Sequence, residues 1–215
     1  MVWEQGRHKH QVASASKRSV ERRVTMAGKM ILIGGGARSG KSRFALDYAD
    51  RLGGRRVFVA TARASDDEMA ERIARHRAER KTGWVTIEEP LALPETLVRL
   101  EADVVLVDCL TLWLSNLLMR GGPVTSVEAA MERLVTAARA RSGHTLIVTN
   151  EVGMGIVPEH ALGRIFRDVA GRAHQRLAAS ADEVYMAMVG LVVRLRPSPL
   201  VAFPPDGQPE DSVVA

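Results

Sequence analysis

Met30-Ile31-Leu32-Ile33-Gly34-Gly35-Gly36-Ala37-Arg38-Ser39-Gly40-Lys41-Ser42 decides the fold. It opens as a short apolar strand that ends in glycine. Its last eight residues, Gly35 to Ser42, fit the spacing G-x-x-x-x-G-K-[ST]. A helical stretch over 42–52 follows and stops at Gly53-Gly54. Strand, glycine loop and helix in that order are the context in which this spacing binds phosphate. Glycine takes backbone angles closed to other residues, so successive loop amides can turn inward around an anion. The helix start adds free N–H donors and partial positive charge. Lys41 would bridge the β- and γ-phosphate oxygens of a nucleotide, and Ser42 would place its hydroxyl on Mg2+.

Outward from this loop, strand and helix patterns alternate. A β-branched strand covers 56–61. Ser65-Asp66-Asp67-Glu68 is a capping box that opens a helix running to about residue 81. An edge strand is expected over 84–88. The run 104–108 is continuously apolar up to its last residue, as in a parallel strand buried on both faces. Apolar helical sequence covers 110–119, and a second capping box, Thr125-Ser126-Val127-Glu128, is expected to open the next helix. A buried strand over 145–149, a long helix from Pro158 to about residue 180, and strands over 184–189 and 192–195 complete the pattern. Such alternation means a three-layer α/β domain with a mostly parallel sheet.

The chain has 215 residues, 46% hydrophobic and 26% charged, the composition of a globular protein rather than a disordered or collagen-like one. No apolar run approaches the roughly 18 residues of a membrane span. The single cysteine, Cys109, leaves no intrachain disulfide and suits a reducing cytoplasm. The net charge is +5, and residues 1–29 account for all of it, with seven basic and two acidic side chains. The rest is neutral, so the body gives no electrostatic reason to bind nucleic acid. Residues 1–29 are read as a basic, disordered extension. Residues 30–196 are read as the catalytic domain, and 197–215, with five of the nine prolines, as a second tail.

Two side chains extend the phosphate loop's chemistry. Asp108 ends the apolar strand at 104–108 and is the natural second ligand for Mg2+, with an N-cap role as its alternative. Asp103 starts the same strand, at the end of a parallel sheet away from ligands. Cys109 reads as a small buried residue. On the helix over 66–81, Met69, Ile73 and His76 share one face, so His76 is the polar member of an apolar stripe. Such a histidine either packs or, as a neutral imidazole, attacks phosphorus. Sequence physics alone leaves both open. The loop Asn150-Glu151-Val152-Gly153-Met154-Gly155 follows a strand at the ligand end of the sheet and suits close approach to a large substrate. Arg167 and Asp168 read as an ion pair or as surface charges.

Four segments together carry a family resemblance: GGARSGKSRFA (35–45), VATARASDDEMAERIARHR (59–77), VLVDCLTLWLSNLL (105–118) and TNEVGMGIVPE…FRDVAGRAHQRLAASADEV (149–184). Over residues 30–196 the chain resembles the bifunctional adenosylcobinamide kinase/adenosylcobinamide-phosphate guanylyltransferases. The resemblance implies a P-loop NTPase fold of RecA-like type. It implies phosphorylation of adenosylcobinamide by ATP or GTP, then transfer of GMP from GTP to adenosylcobinamide phosphate through a guanylyl-histidine. His76 falls at the position of that histidine. Residues Gly35, Gly36, Ala37, Arg38, Ser39, Gly40, Lys41 and Ser42 match the GTP phosphate loop. Ala60, Thr61 and Ala62 match a nucleotide-contacting turn, and Arg77, Ala78, Glu79 and Arg80 match a further GTP-contacting stretch. Glu88 and Asp108 match two acidic nucleotide-site positions. The expected catalytic residues are His76 and Lys41, and the expected metal ligands Ser42 and Asp108. The resemblance also implies a cytoplasmic homo-oligomer, a trimer in some members, with corrinoid substrates and no nucleic-acid partner.

Three rivals stand beside this reading, one of them nucleic-acid binding through residues 1–29, which needs the tail alone. A P-loop small-molecule kinase would use the loop, Asp108 and Mg2+ but leave His76 idle. A RecA-type nucleotide-dependent binding module would couple hydrolysis to a macromolecule, usually over a basic surface that the neutral body lacks.

Overall fold

The computed structural model describes residues 28–62 and 82–197. A single seven-stranded sheet runs through them, built from β1 (Met30–Gly35), β2 (Arg56–Ala60), β3 (Trp84–Glu88), β4 (Val104–Asp108), β5 (His144–Val148), β6 (Glu183–Met188) and β7 (Leu191–Arg196), in the order β3-β2-β4-β5-β1-β6-β7. The first six strands are parallel, and β7 closes the edge antiparallel to β6. The helices are α1 (Lys41–Leu52), α2 (Leu93–Arg99), α3 (Leu110–Met119), α4 (Val124–Ala140) and α5 (Ala161–Ser180). This is the three-layer α/β architecture with a mostly parallel sheet that the alternation implies.

The two-residue strand period divides the core in two. Met30, Leu32, Val105, Val107 and Ile147 point to the face covered by α2 to α5, where Leu97, Trp113, Leu134 and Leu177 are fully buried. Ile31, Ile33, Val104, Leu106 and Val148 point to the other face, where Ala45 and Ala49 of α1 pack. Continuous apolar strands are therefore required rather than alternating ones. Trp113 is wholly buried, and its indole N–H is satisfied by the Leu91 carbonyl at 2.8 Å. At the β3 edge, Trp84 is held by Asp50, to which its indole donates at 3.3 Å, and by the Arg56 guanidinium over its ring.

Beyond one-residue shifts at several element ends, two helix starts and one added helix differ from the sequence reading. The box at Thr125-Ser126-Val127-Glu128 does not cap α4. The helix starts two residues earlier, with Pro123 at the N-cap and no side-chain cap, and the Ser126 amide and hydroxyl both donate to the Pro123 carbonyl. Glu128 instead accepts from Arg172 of α5 at 3.0 Å. Second, α5 begins at Ala161 rather than Pro158, and Arg164 reaches back to the carbonyls of Pro158 and Glu159. Third, α2 has no counterpart in the sequence reading. Its start is organised by Glu89, whose carboxylate accepts from the amides of Leu91 and Ala92 at 2.9 and 2.7 Å. The capping box at Ser65-Asp66-Asp67-Glu68 and the helix it was expected to open lie outside the described residues, as do residues 1–27 and 198–215.

Candidate functional site

The carboxyl ends of β4, β5 and β1 lie side by side, and the connection after β1 leads to one side of the sheet while that after β5 leads to the other. Such a reversal opens a crevice at the strand ends, where ligands bind in this architecture. The glycine loop fills it. Gly35 has φ +154°, and a Cβ there would lie 2.5 Å from the Ala187 carbonyl oxygen and 2.6 Å from Ser39 Oγ, so no larger residue fits. Gly40 holds the N-cap of α1 at φ 95°, left-handed, and no side chain caps the helix. The first amides of α1 therefore remain available to a ligand, with the helix dipole behind them.

Lys41 is buried, and its ammonium donates to the Gly36 carbonyl at 3.0 Å, which folds the side chain back along the loop. Ser39 is buried as well, and its hydroxyl has no hydrogen-bond partner among the described residues. An orphaned hydroxyl inside a loop of this type is the kind of group a phosphate oxygen satisfies. Ala37 and Arg38 are exposed, and Ser42 is half-buried in the first turn of α1. Asp108 is half-buried at the end of β4, in register with Ala60 and Val148. Asp103 sits at the opposite end of the strand and accepts the Arg55 amide at 2.7 Å, as its position implies.

The turn after β2 is locked rather than open. Thr61 is fully buried, and its hydroxyl donates to the Cys109 carbonyl at 2.7 Å while accepting the Cys109 amide at 2.8 Å. Its own amide donates to the Asp108 carbonyl, and its carbonyl accepts from Asn116 Nδ2 at 2.8 Å. Asn116 also reaches the Pro90 carbonyl, so one amide side chain ties two loops at the crevice rim. Glu88 is exposed at the end of the edge strand, opposite Ala60. Cys109 is buried as read. Burial first, then the neighbouring Asp108 charge, push its thiol up to about 11, which removes it as a nucleophile near neutral pH.

Several groups at the crevice have no place in the sequence reading of single residues. Asn150 donates to Thr111 Oγ1 at 2.9 Å. The Glu151 amide donates to the Gly35 carbonyl at 3.0 Å, which joins the loop after β5 directly to the phosphate loop. Thr149 Oγ1 and His174 Nε2 are 2.8 Å apart, and His174 Nδ1 lies 3.7 Å from Glu151 Oε2. Burial lowers the His174 pKa, against the Glu151 charge that raises it. Arg167, read as part of an ion pair or as a surface charge, donates to the Gly153 carbonyl at 2.7 Å and braces the same loop. The signal for Asn116 was legible as one amide in an apolar helix. The contacts of His174 needed the fold, since 25 residues separate it from Thr149.

His76, Arg77, Ala78, Glu79 and Arg80 lie outside the described residues. The structure thus brings together the loop, Asp108 and the turn at Ala60 to Ala62.

Comparison with known proteins gives one answer. The model of the family "cobinamide kinase / cobinamide phosphate guanyltransferase" matches residues 31–195. The bifunctional adenosylcobalamin biosynthesis protein CobP of Pseudomonas aeruginosa is 45% identical over 172 residues, 79% of this chain and 98% of its own length. The CobU proteins of Salmonella typhimurium and Escherichia coli are 43% and 40% identical over 185 residues, each covering 78% of this chain and 99% of the relative. Among solved structures, the RadB recombinase is similar over 74% of both chains, at TM-score 0.44 and 15% identity.

Proposed function

The chain belongs to the cobinamide kinase / cobinamide phosphate guanyltransferase family, and on that premise we propose that its single phosphate loop serves both reactions, with His76 carrying the guanylyl group between them. The enzyme is a kinase and nucleotidyltransferase of adenosylcobalamin biosynthesis. In the first reaction the hydroxyl of adenosylcobinamide attacks the γ-phosphorus of ATP or GTP. The bond to the β–γ bridging oxygen breaks, and a nucleoside diphosphate leaves. In the second, the His76 imidazole attacks the α-phosphorus of GTP and pyrophosphate leaves. An oxygen of adenosylcobinamide phosphate then attacks the same phosphorus, the P–N bond breaks, and adenosylcobinamide-GDP and free His76 result.

The observation that carries this reading is the state of the loop, which holds a buried lysine, an uncapped helix start and a buried hydroxyl with no partner among the described residues. Negative charge grows on the leaving group in both reactions, on a diphosphate in one and on pyrophosphate in the other. Lys41, the loop amides and the first turn of α1 would meet that charge. Lys41 would exchange the Gly36 carbonyl for a phosphate oxygen. Ser42 and Asp108 offer a hydroxyl and a carboxylate, hard oxygen donors that suit Mg2+, whose charge would neutralise phosphate oxygens in both steps. No cluster of three or more His, Cys, Asp or Glu among the described residues could hold a metal by itself, so phosphate and water oxygens would complete that shell. Thr61 acts through its backbone lock on Cys109, and Ala60, Ala62, Glu88 and Arg77 to Arg80 would line the nucleoside side. No described helix is long and apolar enough to cross a membrane. A cytoplasmic homo-oligomer suits the reading, and exposed Leu191, Val193 and Leu195 along β7 support self-association.

The test is covalent trapping. GTP labelled at the α-phosphate, with Mg2+, should leave acid-labile, base-stable label on the denatured protein, and His76→Ala should carry none. An unlabelled wild type that still binds GTP would contradict the histidine intermediate.

A further inference from the structure

We propose that the loop at residues 152–157 is the shelf that receives the corrin macrocycle of the acceptor, an assignment that rests on the kinase and guanylyltransferase reading above. Three observations carry it. First, the loop's stem is fixed. The Glu151 amide is bonded to Gly35, Glu151 Oε1 accepts the Gly153 amide, Arg167 holds the Gly153 carbonyl, and His174 stands between Thr149 and Glu151. Second, the tip this stem presents is apolar and open to solvent: Met154 is 81% exposed, Ile156 97% and Val157 59%. Apolar side chains held in water on this stem are surface that a ligand stabilises by covering it. Third, the segment from Val152 to Pro158 contains no charged residue, in a chain that is 26% charged.

A corrin is a broad, methyl-bearing macrocycle edged by neutral amides. Its complement is an uncharged apolar surface, with the unbranched Met154 side chain able to adapt to the ring. The reacting hydroxyl or phosphate of the acceptor hangs from a flexible arm and must reach the nucleotide. The bond from Glu151 to Gly35 puts the shelf next to the phosphate loop, so ring and arm can be held at once. Glu151 and His174 are positioning residues in this arrangement: they set the shelf relative to the loop.

The experiment compares the wild type with the double variant Met154→Ser/Ile156→Ser, whose exposed sites leave the core untouched. Cobinamide binding is read directly by equilibrium dialysis from its visible absorbance, without nucleotide. Protein labelling by α-labelled GTP is read in parallel. We expect cobinamide affinity to fall about tenfold or more, the scale on which small changes in apolar contact discriminate ligands, with labelling unchanged. Unchanged cobinamide affinity overturns the proposal. So does an altered oligomeric state with affinity intact, which gives the surface to a second copy, and so does loss of labelling alone, which gives it to the nucleotide. A wild type that binds cobinamide but takes no label sinks the histidine chemistry while the shelf stands on the dialysis.

Discussion

Gly35 shows how much one residue decides. Its missing Cβ lets the chain pass within contact distance of Ala187 on the neighbouring strand and of the Ser39 hydroxyl. Gly35→Ala therefore forces β1 and β6 apart at the crevice. We expect it to cost about 1–3 kcal/mol of stability, the scale of overpacking a tight site, and to weaken GTP binding, both measurable by thermal unfolding with and without GTP. Unchanged stability and affinity would mean that the close approach is dispensable. The motif glycines, Lys41 and Asp108 were legible because their chemistry follows from spacing and from position at a strand end. Thr61 was legible only through the family resemblance, as a nucleotide neighbour. The structure gives its hydroxyl to the Cys109 backbone, a long-range contact that no local pattern encodes.

At the scale of elements, buried strands were the most legible, because a strand covered on both faces must be apolar throughout. Helix starts were the least. The serine and threonine near Val124 fit a capping box in sequence, yet Pro123 carries the start and Glu128 finds Arg172 on another helix, so tertiary pairing overrides the local signal. The short α2 shows no long apolar period and depends on Glu89 for its first amides. The contact of β5 with α5 through Thr149, His174 and Glu151 has a consequence for pH. Burial lowers the folded His174 pKa below its unfolded value of about 6.5. The neutral ring is then favoured in the fold. Its contribution is present above about pH 6.5 and is lost as the pH falls through the lower folded value. Unfolding midpoints in denaturant, measured between about pH 5 and 7, should fall on acidification, and His174→Asn should flatten that slope. An equal slope in the variant would remove His174 as its source.

On the proposed reading, both chemistries share one crevice. Parallel strands point their carboxyl ends to one side of the sheet, and the reversal of connections around β1 opens that side to a nucleotide. The sheet and the phosphate loop could be read from the chain, since alternation and motif agree. Self-association leaves no such mark, because an edge strand with exposed leucines looks the same in sequence whether water or another subunit covers it. The central claim is that one cradle serves two transfers, and one pair of assays tests it. Phosphorylation of cobinamide and guanylylation of cobinamide phosphate are measured side by side for Lys41→Ala and His76→Asn. Loss of the lysine should lower both rates by about a hundredfold or more, the scale of removing one group that stabilises a developing anion, while loss of the histidine should abolish guanylylation and leave phosphorylation standing. A Lys41→Ala enzyme that keeps either reaction at the wild-type rate would contradict the shared cradle.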